Sequence, residues 1–174
     1  EIGVRLVGSE MCIRDSYYPN VNGFRWFIKN VTPLIKINYE VTLVGNRMDL
    51  LKEEFSNNSN VKVLGRVEDL SPYYEDADVV VGPIFEGAGM KVKTAEALSY
   101  GKIFIGTDES LIGYKELAGN LLGKSIVVCN NEEEFAKAIN NLDFGNGFCP
   151  ENYDFFLRNY SIEAATCKLK TLLE

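Results

Sequence analysis

Six short apolar runs divide this chain: residues 2–8 (IGVRLVG), 40–45 (EVTLVG), 61–65 (VKVLG), 78–83 (DVVVGP), 102–107 (KIFIGT) and 125–129 (SIVVC). Each has strand length and is mostly apolar, and helical or turn-rich stretches lie between them. Such an alternation predicts an α/β fold, an open parallel sheet of about six strands with helices on both faces. In these sheets ligands sit outside the carboxyl ends of the strands. Gly8, Gly45, Gly65, Gly82 and Gly106 stand at or near those ends. Ordinary turn chemistry accounts for most of them. Gly8, which closes the first run, is also a candidate for close backbone approach to a ligand.

Between the runs, Val21, Phe24, Phe27, Ile28, Val31, Leu34 and Ile35 recur at helical spacing. Asn20 reads as the N-cap, and Pro33 predicts a kink or an early end. Residues 48–55 read as a short helix. So do 67–76, with Leu70, Tyr73 and Tyr74 facing inward, and one or two turns within 111–118. Residues 131–142 carry an asparagine cap and three acids in the first turn, which complements the helix dipole. Residues 141–152 read as a loop, and a final helix is expected over about 161–173. There is no internal repeat and no low-complexity segment.

A net charge of −7 disfavours nucleic acid as a partner, because phosphate tracking needs a basic stripe. The chain has no histidine, and no two of its four cysteines form a CxxC pair, so zinc-ligand spacing is absent. Free, reduced thiols and a cytoplasmic location are the expectation. No apolar run approaches the roughly 18 residues of a membrane span, and no signal peptide is read. The chain opens at Glu1, almost at once in a strand, and reads as part of something longer. Residues 9–16 (SEMCIRDS) have neither strand nor helix periodicity. MCIRDS resembles translated sequencing-adaptor read-through, so 9–16 is read as a non-native insert; a genuine irregular loop is the alternative.

The chemistry concentrates in 82–107, above all in GAGMKVKTAEAL (87–98). Gly87 and Gly89 allow tight backbone at a helix entrance, where free N–H groups and the helix dipole favour an anion such as a diphosphate. Lys91 and Lys93, two apart, cannot point the same way, but one of them can reach the phosphates. Glu96 can accept two hydrogen bonds from the vicinal hydroxyls of a ribose. A surface amphipathic helix with a routine glutamate explains the same residues at least as well.

The stretch PIFEGAGMKVKTAEALSYGKIFIGT resembles the donor-binding half of GT-B glycosyltransferases, the group 1 or family-four type. YYPNVNGFRWF, EVTLVG, VKVLGRVEDLSPYY and DADVVVGP precede it in the order such domains show, so the resemblance covers most of residues 2–128. It implies a Rossmann-like sheet forming one half of a GT-B fold. It also implies a chain, 1–174, that is a single nucleotide-sugar-binding domain lacking an N-terminal acceptor domain. The implied activity is sugar transfer, of hexosyltransferase type, from a nucleotide-diphosphate sugar to an acceptor hydroxyl, with no metal and no cofactor. This domain alone is expected to be inactive.

By the same resemblance Glu96 holds the ribose, and Gly87, Gly89 and Lys91 or Lys93 hold the diphosphate. The family places a further glutamate eight residues before the ribose one, where this chain has Ala88. Glu86, ten residues before Glu96, is the candidate donor-sugar contact, in a loop two residues longer than the common form. Arg66 is a candidate for lining the base pocket, and Arg47 and Lys52 for neutralising phosphate. The acceptor is a glycan, a lipid or a small molecule, and any peripheral membrane association would run through the missing domain.

GNLLGKS (119–125) is one residue short of a phosphate-binding P-loop and precedes a strand, whereas a P-loop follows one. Asp76-Ala77-Asp78 has an Asp-x-Asp form but straddles a helix end and a strand start. GAGMKV lacks the third glycine of a dinucleotide fingerprint. The alternative functions are a non-catalytic α/β nucleotide-binding module or degenerate transferase subunit, and a nucleotide-sugar epimerase.

Overall fold

The structure is a computed structural model that describes residues 4–10, 19–45, 48–141, 143 and 145–173. Its sheet has six strands, all parallel, in the order β3-β2-β1-β4-β5-β6. The strands are β1 (Val4–Glu10), β2 (Tyr39–Gly45), β3 (Val61–Gly65), β4 (Val79–Gly82), β5 (Ile103–Gly106) and β6 (Ile126–Val128). All six fall within a residue or two of the apolar runs. The helices are α1 (Pro19–Trp26), α2 (Ser71–Asp76), α3 (Val92–Ser99), α4 (Lys115–Ala118), α5 (Glu132–Asn141), α6 (Pro150–Tyr160) and α7 (Ile162–Leu173).

The central strands β4 and β5 are apolar and buried at every position because both of their faces are covered. Val79, Val81, Ile103 and Ile105 face one buried cluster with Phe24, Phe27, Ile28 and Val31 on one side and Phe135 and Ile139 on α5. The residues between them, Val80 and Phe104, face a second cluster with Tyr74, Ala97, Leu98, Tyr114 and Phe155. Period-two alternation thus splits one sheet between two cores.

Four local readings are corrected. The first strand does not stop at Gly8: Ser9 and Glu10 continue it, pairing with Val44 and Gly45. Residues 11–16, the rest of the stretch read as an insert, lie outside the described residues. Asn20 lies inside α1 and is buried, so it is not the residue before the helix. α1 passes into a π-helical turn (Phe27–Val31) and a 3₁₀ turn (Thr32–Leu34) that holds Pro33 and ends at extended Ile35. Residues 48–55 form only a 3₁₀ turn (Met48–Leu51) followed by turns.

Part of the stretch expected to be a loop is the start of α6, whose Pro150 sits in the first turn, where a missing N–H costs nothing. Asn152, in the helix's first turn, is fully buried. Its Nδ2 donates to the carbonyls of Lys102 (2.8 Å) and Ser125 (3.2 Å), and its Oδ1 accepts from Ser125 Oγ at 2.7 Å. A polar residue on the buried face hid the helical pattern.

Candidate functional site

The sheet order reverses between β1 and β4, and in open α/β sheets such a switch point opens the crevice that takes a ligand. The 83–91 loop leaves β4 at this point. Its first residues are clamped. Pro83 and Ile84 are buried, and Thr107, just after β5, donates its hydroxyl to the Ile84 carbonyl. On the other side α1 presses on the loop so closely that a Cβ on Gly23 would lie 1.8 Å from the Pro83 carbonyl oxygen. Trp26 meets Phe85 edge to face at 4.7 Å.

Beyond this anchor the loop stands in the open: residues 85–90 are exposed, Glu86, Gly87 and Gly89 among them. Gly87 and Gly89 have φ of 147° and 68°, a region that penalises any side chain with a Cβ. The space a Cβ would take at Gly89 is empty, so it is backbone conformation, not crowding, that calls for glycine there.

The loop ends at Lys91, the extended residue that opens α3. Its carbonyl accepts from Tyr114 Oη at 2.9 Å, and Thr94 Oγ1 donates to the Ser110 carbonyl at 2.7 Å. The helix entrance is therefore tied at two points to the segment following β5. The two lysines diverge, as their spacing requires. Lys91 Nζ donates to the Gly89 carbonyl and to Glu109 Oε1, each at 2.7 Å. Lys93 is buried, and its charge favours the ionised form of Glu96.

Glu96 lies one turn into α3 and is half-buried. Its Oε2 accepts from Tyr74 Oη at 3.1 Å, and the Tyr74 ring stacks on Tyr100 at 5.0 Å. Burial raises the Glu96 carboxyl above its ordinary value, against the lowering effects of the Tyr74 hydroxyl and Lys93. A carboxylate with one tyrosine partner keeps acceptor capacity for further hydroxyls.

The structure therefore brings together Gly87, Gly89, Lys91, Lys93 and Glu96 at the start of α3, with Glu86 on the same loop. Gly8 lies two residues inside β1, paired with Leu43. Arg66 is exposed just past β3, the outermost strand. Three strand spacings, roughly 14 Å, separate β3 from β4. The chain runs from Arg66 into α2, which carries Tyr74 to Glu96. Lys52 is exposed beyond the 3₁₀ turn that follows β2, and Arg47 lies outside the described residues.

The Asp-x-Asp pair is accounted for by Arg5, which pairs with Asp76 and with Asp78, the latter at 3.3 Å. No cluster of three metal-ligating side chains occurs among the described residues. GNLLGKS forms turns leading into β6 at the opposite, amino edge of the sheet. Among the described residues no helix is long and apolar enough to cross a membrane.

Three contributors escaped the sequence reading: Tyr74 as the partner of Glu96, Tyr114 as the prop for Lys91, and Glu109 as its counter-ion. A usable signal existed for the last. Thr107-Asp108-Glu109-Ser110 follows a strand ending in glycine, so it had to lie at the same sheet edge as the glycine loop.

A family model described as glycosyl transferases group 1 matches residues 11–142. A curated relative, an uncharacterized 44.6 kDa protein in the cps region of Klebsiella pneumoniae, is 29% identical over 133 residues, covering 70% of this chain and 33% of that protein. A glycosyltransferase from Rickettsia africae ESF-5 superposes with a TM-score of 0.73 at 17% identity, over 97% of this chain and 47% of that one. Anabaena Alr3699/HepE, solved in complex with UDP, gives 0.69 at 15% identity, over 97% and 48%. The C-terminal domain of the group 1 family protein LpcC from Francisella tularensis gives 0.62 at 17% identity, over 92% and 88%. The chain thus spans a third to a half of the longer proteins it matches, and nearly all of one isolated C-terminal domain.

Proposed function

The chain belongs to the glycosyl transferases group 1 family, and from that premise we propose that it is the donor-binding half of a GT-B transferase. The reaction moves a sugar from a nucleoside-diphosphate sugar to an acceptor hydroxyl. The observation that carries this reading is the placement of the glycine loop, the α3 entrance and Glu96 together at the switch point of the sheet. The Anabaena relative, solved with UDP, supports a nucleotide ligand.

In this reading the diphosphate seats against the first-turn N–H groups of α3 and the Lys91 ammonium group, while buried Lys93 lends its charge to Glu96. These groups stabilise the negative charge that builds on the leaving diphosphate as the glycosidic bond breaks. They supply this charge stabilisation without a metal. Glu96 accepts from the ribose hydroxyls and so fixes the nucleotide's register. Glu86, exposed on the glycine loop, is the side chain proposed to meet the donor sugar. Arg66 and the Gly8 strand flank the base and the phosphates. The acceptor site and the general base belong to a second domain, so the 174-residue chain binds donor nucleotide and transfers nothing by itself.

Calorimetric titration with UDP and with GDP tests the site. Binding of at least one is expected, and it weakens about tenfold or more in Glu96→Ala and in the double variant Lys91→Ala/Lys93→Ala, the scale of one lost charge-assisted contact. Nucleotide binding that all of these leave unchanged would remove the assignment.

A further inference from the structure

We propose that Glu109 is an internal anion that occupies Lys91 until a diphosphate displaces it, which makes Glu109 a specificity-determining residue of the nucleotide site. The inference rests on the donor-site reading above.

Lys91 and Glu109 meet at 2.7 Å with side chains only 10% and 22% exposed, so water screens the pair weakly. Glu109 and the Gly89 carbonyl use two of the three donors of the ammonium group. Asp108, the neighbouring acid, does not compete for it. Its carboxylate pairs with Lys115 and accepts from Asn130 Nδ2 at 2.8 Å. The ion pair therefore joins the open glycine loop to the segment after β5, directly beside the α3 entrance.

The backbone here is already fixed, by Tyr114 on the Lys91 carbonyl and by Thr94 on Ser110. Exchanging Glu109 for a ligand thus needs only rotation of the Lys91 stem and of the Glu109 side chain. A ligand that takes Lys91 has to overcome the ion pair, and its charge then lies beside a displaced carboxylate. A nucleoside has no charge with which to do so, a monophosphate carries up to about two negative charges, and a diphosphate carries more. Glu109 accordingly holds the site closed to weakly charged ligands and acts through Lys91 as a positioning residue.

Calorimetry on the intact chain with UDP, GDP, their nucleosides and inorganic pyrophosphate reads this directly. Removing the charge in Glu109→Gln should tighten pyrophosphate and diphosphate binding about five- to tenfold and leave nucleosides unchanged. Glu109→Asp should stay near the parent chain. The gain should vanish in a Lys91→Met background, since the carboxylate acts only through that lysine. Unchanged or weaker pyrophosphate binding in Glu109→Gln would overturn the proposal. So would an equal gain for nucleosides, which marks a merely structural effect. The donor-site reading fails separately, when UDP and GDP binding is indifferent to Glu96→Ala while pyrophosphate still answers to Glu109→Gln.

Discussion

Gly23 is the residue where fold and site meet most tightly. It sits within α1, where glycine is ordinarily unfavourable, and its hydrogen takes the place of a Cβ that would overlap the Pro83 carbonyl. Gly23→Ala must push α1 off the sheet or push the loop toward the pocket. Chemical denaturation is expected to show a loss of about 3 kcal/mol, the upper range for overpacking. At Glu96 the sign of the pH effect differs between stability and binding. Its folded carboxyl titrates above the ordinary 4.5, chiefly through burial. Its contribution to stability is therefore complete below 4.5 and is lost as pH rises through the raised folded value. Binding runs the other way, because only the ionised carboxylate accepts from both ribose hydroxyls. Nucleotide affinity should fall as pH drops through a midpoint above 4.5, and Glu96→Gln should flatten that dependence.

At the level of elements, the strands were legible because each reads as a largely apolar run, and β4 and β5, buried at every position, as unbroken ones ending at glycine. The α3 entrance was legible from Gly87, Gly89 and the lysines that follow. What stayed hidden depends on contacts distant in sequence. Glu109 lies 18 residues from Lys91, and Tyr74 lies 22 from Glu96. Only the parallel crossovers bring those pairs together. α6 was hidden for a different reason: its innermost side chain, Asn152, is polar and is satisfied by two other elements of the chain. Asn152 acts as a bracket between the starts of β5 and β6. Asn152→Leu leaves two carbonyls and the Ser125 hydroxyl without that partner, and a loss of about 3 kcal/mol is expected in equilibrium denaturation.

Buried Lys102 does related work. Its ammonium group donates to the carbonyls of Glu75 (3.1 Å), Ala77 (2.9 Å) and Gly147 (2.7 Å), closing the end of α2 onto the loop before α6. This lysine is spent on structure, whereas Lys91 is the one proposed to meet the diphosphate. The distinction is invisible in composition, since both are lysines near glycines. It follows from which edge of the sheet each one reaches: Lys102 stands at the amino edge and Lys91 at the carboxyl edge.

Across the whole molecule, the sheet order places one crevice between β1 and β4, and the glycine loop opens beside it. The amino edge carries the stretch resembling a P-loop, among turns that lead into β6 rather than out of it. The proposed nucleotide site therefore lies at one edge of one sheet. Backbone amide shifts recorded while UDP or GDP is titrated into the chain test that assignment most directly. The largest changes are expected on Gly87, Gly89, Lys91, Val92 and Lys93 and along α3, and in Glu96→Ala they should need about tenfold more nucleotide to develop. Changes centred instead on Asn120, Lys124 and Ser125 at the amino edge would contradict it.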